Sequence, residues 1–272
     1  RMSGGVINWG LEGKTFWKWM ELLFVPVVLA SAAWYLDMSQ TRQQVDREDR
    51  RIEEANAIED ERNKISILNN YRRSITDLIS NAELLEHDRF SDIALAARAL
   101  TISTLPQLGG AQKGALLRFL FEIRLVAGPG RERAVLDLMN ADFSGAQLHD
   151  AALNSALLKD VNLEGADLSK ASLHFTGFYE ARMDGANLRE ADLMESEFSG
   201  AYLQDADFTG ANLDDVDFQG ARLLGAKGLS CSRLQQTRNW ESAYRDDALA
   251  CGQPIPELPV ERPIIIEEIT GS

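Results

Sequence analysis

The amino-acid sequence predicts a mainly β solenoid, a four-sided coil, that follows a helical N-terminal region. An apolar residue recurs every five positions from Leu138 to Leu223 without a slip, and a small residue usually stands two positions before it. A strand alternates every two residues and a helix repeats every 3.6, so neither keeps this register over eighteen copies. A periodic pattern of this length indicates a solenoid.

The chain of 272 residues is 45% hydrophobic and 26% charged, the mixture of a globular protein. Its sequence divides into seven predicted segments. These are an N-terminal tail (1–14), a transmembrane helix (15–36), a helical stalk or coiled coil (38–86), a helical N-terminal cap (91–127), the repeat block (136–225), a helical C-terminal cap (229–251) and a Pro-rich tail (252–272).

The predicted transmembrane helix centres on an uncharged run from Leu22 to Leu36. This run has fifteen residues, short of the ~20 that usually cross a bilayer, and it reaches a sufficient length when it is extended back to Thr15. Aromatic residues stand near both ends, where an interfacial belt is expected, at Trp17, Trp19, Trp34 and Tyr35. We therefore expect residues 15–36 to contact lipid. The flanking charges do not specify the orientation.

Two other interpretations of the apolar run stay open from the sequence. A secretory signal would end at the small residues 30–32, and it would be removed from the mature chain. A buried helix of a soluble core would also be apolar, but the terminal aromatic residues fit an interface better.

The predicted stalk contains neither Gly nor Pro, which favours one long helix. Its first half is polar, and a heptad pattern with two charged interruptions begins at Ile58. One position holds Ile58, Ile65 and Ile79, the other holds Leu68, Ile75 and Ala82, and the interruptions are Glu61 and Arg72. Such a seam needs a partner, which is either a second copy of the chain or the following helices.

Two shorter helices are expected at residues 91–104 and 111–126, because Pro106 and the Gly109-Gly110 pair separate their patterns. The second is too apolar to stand alone in water. We therefore expect it to cover the near end of the repeat block.

The eighteen central positions of the repeats hold twelve Leu, five Phe and one Met, and thirteen of the positions two residues earlier hold Ala. A chain that turns a corner after each five-residue face points both positions inward, and four faces make a coil of twenty residues. Three phenylalanines spaced by twenty would stack in one interior column. The predicted core residues are Leu138, Phe143, Leu163, Leu168, Phe178, Met183, Leu188, Leu193, Phe198, Leu203, Phe208, Leu213, Phe218 and Leu223.

Several repeats, such as Ala-Asp-Leu-Ser-Lys (166–170) and Ala-Asn-Leu-Arg-Glu (186–190), resemble the A(D/N)LXX motif of the pentapeptide repeat family. The resemblance implies a right-handed, quadrilateral β-helix. The flanking segments are similar to a membrane-anchored, largely cyanobacterial group, which implies a single-pass protein of a bacterial inner or thylakoid membrane. The usual Asp or Asn is absent at Leu157, Gly177, Arg182 and Tyr202.

Both ends of such a rod expose backbone edges, so a second cap is expected after the repeats. Ser232 and Gln235 form a capping-box pattern, and Trp240 and Tyr244 stand at helical spacing, which together predict a short helix. The two cysteines, Cys231 and Cys251, are either a disulfide pair or two thiols.

The sequence lacks the usual signatures of catalysis and cofactor binding: a Gly-rich phosphate loop, a GxSxG elbow and a CxxC pair. The three histidines, His87, His149 and His174, share no metal-ligand spacing. We expect no enzyme, no cofactor and no metal site. The net charge of −14 also opposes nucleic-acid binding, because phosphate contacts need a cationic surface.

Outward positions between residues 138 and 223 carry sixteen acidic and five basic residues. We predict a non-catalytic, membrane-anchored scaffold or protein-interaction module that presents this acidic surface to protein partners, with an accessory subunit of a larger membrane complex as one form. The stalk is a candidate site of homo-oligomer formation. The alternative, implied by the resemblance, is a DNA mimic that binds a topoisomerase.

Overall fold

The computed structural model describes residues 16–82, 84–86, 89–126 and 134–258, apart from the side chains of residues 16–23, 40–46 and 86. The tail predicted at residues 1–14, most of the Pro-rich tail and His87 therefore lie outside the described residues. Contacts divide the chain into two compact units, residues 1–61 and residues 62–272.

The first helix, α1, runs from Phe16 to Asn81 without a break and contains Pro26. The segments predicted as a membrane helix and a stalk are thus one helix, and it ends at Asn81 rather than at residue 86. All 66 residues of the helix are other than Gly, in keeping with its length.

The N-terminal part of α1 is apolar and exposed, since every described side chain from Phe24 to Leu36 is open to solvent. Among the described residues, no helix is both long and apolar enough to cross a membrane. The described part of the run would measure about 20 Å as a helix, against the ~30 Å of a hydrocarbon core. The side chains of residues 15–23, the first part of the predicted span, lie outside the described set.

Two helices follow α1 in the second unit: α2, Asp92–Thr104, and α3, Gly110–Glu122, with a 3-10 turn at Leu105–Gln107 between them. The Ser91 side chain caps α2 by accepting a hydrogen bond from the Ala94 N–H at 3.2 Å.

The last turns of α1 pack into the core of the second unit. Leu68, Tyr71 and Ile75 are at most 5% exposed, and the Tyr71 hydroxyl lies 2.8 Å from the Thr101 hydroxyl on α2. Burial raises the pKa of Tyr71. Of the two partners expected for the heptad seam, the chain's own helices cover it at Leu68 and Ile75. Ile65, one turn earlier, stays 45% exposed.

Helix α3 lies against the first coil of the repeat block through two glycines. A Cβ at Gly110 or Gly114 would collide with the backbone oxygen of Gly145 or of Gln147. The Gln147 N–H donates to the Gly110 carbonyl at 2.9 Å. The helix expected to cover the near end of the repeats therefore does so, and its glycines permit the close approach.

The repeat block is a four-sided coil. From Asp142 to Asp207, parallel bridges join the residue before each central position to its equivalent twenty residues later, as between Asp142 and Asn162 and between Gln147 and Asp167. Four bridges fall in each coil, one per face. The described residues contain these isolated bridges instead of extended strands, because two of every five residues turn the corner. The mainly β prediction therefore holds only in this reduced form.

Each corner needs a residue in the left-handed region. The second residue after every central position has φ between +53° and +76°, including Glu180 and Phe175, and seven of these eighteen corners are glycines. The next N–H closes the turn, as Ala186 does onto the Met183 carbonyl at 3.0 Å. These are the φ signs and the hydrogen bond of a type II turn.

The C-terminal cap differs from the predicted helix. Helix α4 spans only Cys231–Leu234, and its N-cap is Ser230 rather than Ser232. Two 3-10 turns follow, and the cap pairs with the last coil through bridges such as Arg222 with Tyr244. The five-residue register ends here, and the cap is held instead by irregular backbone contacts.

A disulfide and a buried arginine fasten this cap. Cys231 and Cys251 form the disulfide. Arg245 is 2% exposed and donates to backbone carbonyls, among them Leu249 at 2.9 Å and Ala243 at 2.8 Å. Burial lowers the pKa of its guanidinium.

Candidate functional site

The interior of the coil is filled by the side chains that the register places there. The fourteen predicted core residues are each at most 3% exposed. Phe198 stacks on Phe178 and on Phe218, with ring centroids 4.8 Å and 5.7 Å apart. A coil packed solid in this way leaves its outer faces as the surface available to other molecules.

The residues predicted at a membrane interface are only partly described. Trp34 and Tyr35 are 65% and 69% exposed. The side chains of Trp17 and Trp19 lie outside the described set.

The Asp and Asn side chains on the outer faces stabilise the coil through hydrogen bonds. The Asp167 carboxylate accepts from the Ser169 N–H at 3.1 Å, and the Asn187 amide of the next coil donates to the same carboxylate oxygen at 2.8 Å. Asp192 repeats the pattern with Met194 and Asn212. Each such side chain therefore closes its own corner and joins two coils, which explains why the motif alternates between Asp and Asn.

One face departs from this rule over several consecutive coils. Backbone bridges place Arg182, Tyr202, Arg222 and Tyr244 one above the other, and we call these four residues the Arg–Tyr face. The Arg222 guanidinium carbon lies 4.4 Å from the centroid of the Tyr202 ring. A groove of about 760 Å³ runs along this face. Arg182 and Tyr202 were visible as departures in the sequence, but Tyr244 was not, because it lies beyond the five-residue register.

A second departure makes a small apolar patch. A Cβ at Gly177 would lie 3.1 Å from the Tyr179 ring and 3.3 Å from the Leu157 side chain. Phe175, at the adjacent corner, is 53% exposed. Tyr179 and Leu157 thus both border the space that a side chain at residue 177 would fill.

Some acidic groups on the other faces also pair with cations, as Asp207 does with Arg189 at 3.1 Å. The hydrogen bond from the Thr209 hydroxyl is the main cause that holds the pKa of Asp207 below its ordinary value. His174 contacts the Asp192 carboxylate, and His149 lies 4.0 Å from Asp167. Within the part of the chain that the structure describes, no group of His, Cys, Asp and Glu is arranged to hold a metal ion.

The family model for the pentapeptide repeat region matches residues 155–227. No curated protein matches the chain significantly. Among solved structures, the chain is similar to the pentapeptide repeat protein alr5209 of Nostoc, with 31% identity, 43% of this chain and 86% of that chain covered, and a TM-score of 0.27. The chain belongs to the pentapeptide repeat family.

Two further pentapeptide repeat structures are similar at 29% identity. Rfr23 of Cyanothece matches over 36% of this chain and 61% of its own, with a TM-score of 0.28. HetL of Nostoc, a protein involved in heterocyst differentiation regulation, matches over 41% of this chain and 54% of its own, with a TM-score of 0.30. The chain thus spans less than two thirds of the length of either protein.

Family membership implies a right-handed β-helix for the repeat block. Rfr23 and HetL are cyanobacterial proteins. Pentapeptide repeat proteins are generally non-enzymatic structural or interaction proteins. A protein-interaction role therefore agrees with a coil whose interior is packed and whose outer faces carry the variation.

Proposed function

We propose that this pentapeptide repeat protein is a non-catalytic, membrane-anchored interaction module whose coil presents a rigid surface to a protein partner. The observation that carries the proposal is the contrast between the filled interior and the individually varied outer faces. A solid convex coil offers no water-excluding pocket in which a carboxylate pair would be tuned for catalysis.

The anchor is proposed from the N-terminal part of α1. Phe24, Leu29 and Leu36 are 60%, 64% and 58% exposed, and the neighbouring side chains of this run are exposed on every side of the helix. A helix that is apolar all round is normally covered by lipid or by other protein. With residues 15–23 included, the run reaches the length of a single span in a bacterial inner or thylakoid membrane.

Alkaline carbonate extraction tests the anchor. We expect the full chain to stay in the membrane pellet, and we expect Leu29→Lys to move it towards the supernatant, because a lysine at the centre of a span costs about 2.5–3.5 kcal/mol. Ile52→Lys, which places the same charge on the same helix beyond the apolar run, should leave it in the pellet. Full extraction of the unchanged chain would rule out the anchor.

The proposed membrane complex is tested by purification in mild detergent at native expression. As an accessory subunit, the chain should elute together with a defined partner and at a larger mass than the chain alone. A homo-oligomer would instead give an integral multiple of the chain's own mass by light scattering. Elution as a lone monomer would contradict both forms.

A second candidate is the DNA mimic, which the acidic excess of the outer faces favours, at sixteen acidic against five basic residues. An acidic rod of this kind would compete with DNA for a type II topoisomerase. Its test is the supercoiling activity of DNA gyrase at rising concentrations of the full chain. Unchanged supercoiling at a large molar excess would discard this candidate without affecting the anchored module.

A further inference from the structure

The Arg–Tyr face presents polar groups that the protein itself does not use. Within the described residues, the Arg222 guanidinium and the Tyr202 and Tyr244 hydroxyls take part in no hydrogen bond or ion pair. All three side chains are partly exposed. Because the guanidinium covers one side of the Tyr202 ring, the edge of that ring and its hydroxyl remain available to another molecule.

The corner of the coil that borders the Arg–Tyr face carries no side chain next to Tyr202 or Arg222. Gly200 and Gly220 occupy the same corner in two successive coils, with φ of +70° and +63°, and line the groove. Neither has a side chain that would screen Tyr202 or Arg222 from an approaching molecule. Tyr and Arg, together with Trp, are enriched among the residues that dominate binding energy at protein interfaces.

The groove is charged oppositely at its two ends. Asp160, Glu180 and Asp184 line the end nearer the N-terminus of the coil. Lys159 lies 3.9 Å from the Asp160 carboxylate and 3.8 Å from that of Glu180, and Arg182 is 3.5 Å from the Glu164 carboxylate. The four carboxylates of this end therefore outnumber its two cations. Arg222 and Tyr244 line the other end. The four steps from the coil of Asp160 to Tyr244 correspond to about 19 Å, the length of about six residues of extended chain.

We propose that the Arg–Tyr face binds an extended segment of a partner protein that is acidic at one end and basic at the other. The acidic end contacts Arg222 and the two tyrosine hydroxyls, and the basic end contacts Asp160, Glu180 and Asp184. The acidic flank disfavours a phosphate backbone or an anionic lipid surface, which would be repelled at that end. This inference deepens the proposed function, because it names the class of partner.

Selection of random short peptides on the full chain in detergent tests the proposal. We expect the enriched peptides to carry Asp or Glu at one end and Lys or Arg at the other. They should bind Arg222→Glu at least about tenfold more weakly than the unchanged chain, because the charge they face is reversed. Exchanging the peptide's acidic residues for Lys should restore binding to Arg222→Glu. Arg189→Glu makes the same charge change on another face and should leave binding unchanged.

Conservative variants keep the test independent of folding. Tyr202→Phe and Tyr244→Phe remove only the unused hydroxyls and should each weaken binding several-fold. Peptides that bind Arg222→Glu as well as the unchanged chain, or that show only one sign of charge, would overturn the proposal. Binding of duplex DNA or of phosphatidylglycerol vesicles through Arg222 would also overturn it. Carbonate extraction does not involve Arg222, so failure of the anchor and failure of this face are separate results.

Discussion

The coil and the N-terminal part of α1 are both regular over long stretches, but the coil buries its apolar side chains and this part of the helix leaves them exposed. In the coil, Phe198 and its neighbours contact residues twenty positions away and are 0% exposed. In the first unit, Ile52 and Ile58 are 53% and 54% exposed on a helix whose hydrogen bonds are local. The comparison teaches that regularity of pattern does not measure stability. The coil buries its own apolar surface, whereas this part of the helix depends on something else to cover it.

Truncation of a core phenylalanine should give the largest difference in stability between the two regions. Phe198→Ala removes the middle ring of the stacked column and leaves a cavity, so we expect the free energy of unfolding to fall by about 3–5 kcal/mol. Ile52→Ala on the exposed part of α1 should change it by less than about 0.5 kcal/mol. Urea unfolding followed by hydrogen-exchange mass spectrometry measures both variants. Equal effects would show that the two regions are not stabilised differently.

Removal of the disulfide should have the next largest effect, and it should be confined to the end of the coil. Cys231 and Cys251 are 20 positions apart, and the loop closed between them is worth about 3 kcal/mol in the chain-entropy account. In Cys231→Ser we expect faster exchange of the amides at residues 231–251 and little change near Leu188. The Cys231→Ser, Cys251→Ser double variant is the control and should behave as the single variant does. Uniform loss of protection along the coil would contradict this picture.

The coil is the part that could be predicted from the sequence, for a physical reason. Its register is strict, because a one-residue slip would turn Leu188 or Phe198 from the interior into solvent. The C-terminal cap could not be predicted in the same way. Trp240 and Tyr244 have helical spacing, but the backbone there follows the edge of the last coil, and Tyr244 pairs with Arg222 instead. Tertiary contact decided the local conformation.

The Arg–Tyr face lies between these cases. Arg182 and Tyr202 stand out in the sequence because a corner-closing Asp or Asn is expected at each position. Their alignment in one column with Arg222, and the contact between Tyr202 and Arg222, follow only once the coil is known to have twenty residues. Tyr244 joins the face from outside the repeats, so no count of fives would have found it. The unusual residues could therefore be identified from the sequence, but only the fold shows that they lie next to one another on one face.

A substitution at a corner of the coil should raise the free energy of unfolding, whereas the substitutions above lower it. Phe175 has φ of +57°, which costs an L-residue with a bulky side chain about 1–2 kcal/mol, and its side chain is 53% exposed. We expect Phe175→Gly to raise the free energy of unfolding by about 0.5–1 kcal/mol, after the entropy cost of glycine is subtracted. Gly185→Ala is the reverse control, since no atom lies within 4 Å of the added Cβ and only strain at φ of +66° is introduced. A loss of stability in Phe175→Gly would mean that the ring is packed.

The effect expected for Thr209 depends on pH. The Thr209 hydroxyl is the main cause of the lowered pKa of Asp207, so the stabilisation is present above the ordinary aspartate pKa and is lost as pH falls through the lower, folded-state value. Thr209→Ala should therefore lower the free energy of unfolding by about 0.5–1 kcal/mol at pH 7, and this difference should shrink below about pH 4. Thr209→Ser keeps the hydroxyl and should follow the unchanged chain at every pH. A difference between Thr209→Ala and the unchanged chain that is constant down to pH 2 would assign the effect to the lost methyl group. In that case the outer faces, like the interior, would be stabilised mainly by packing.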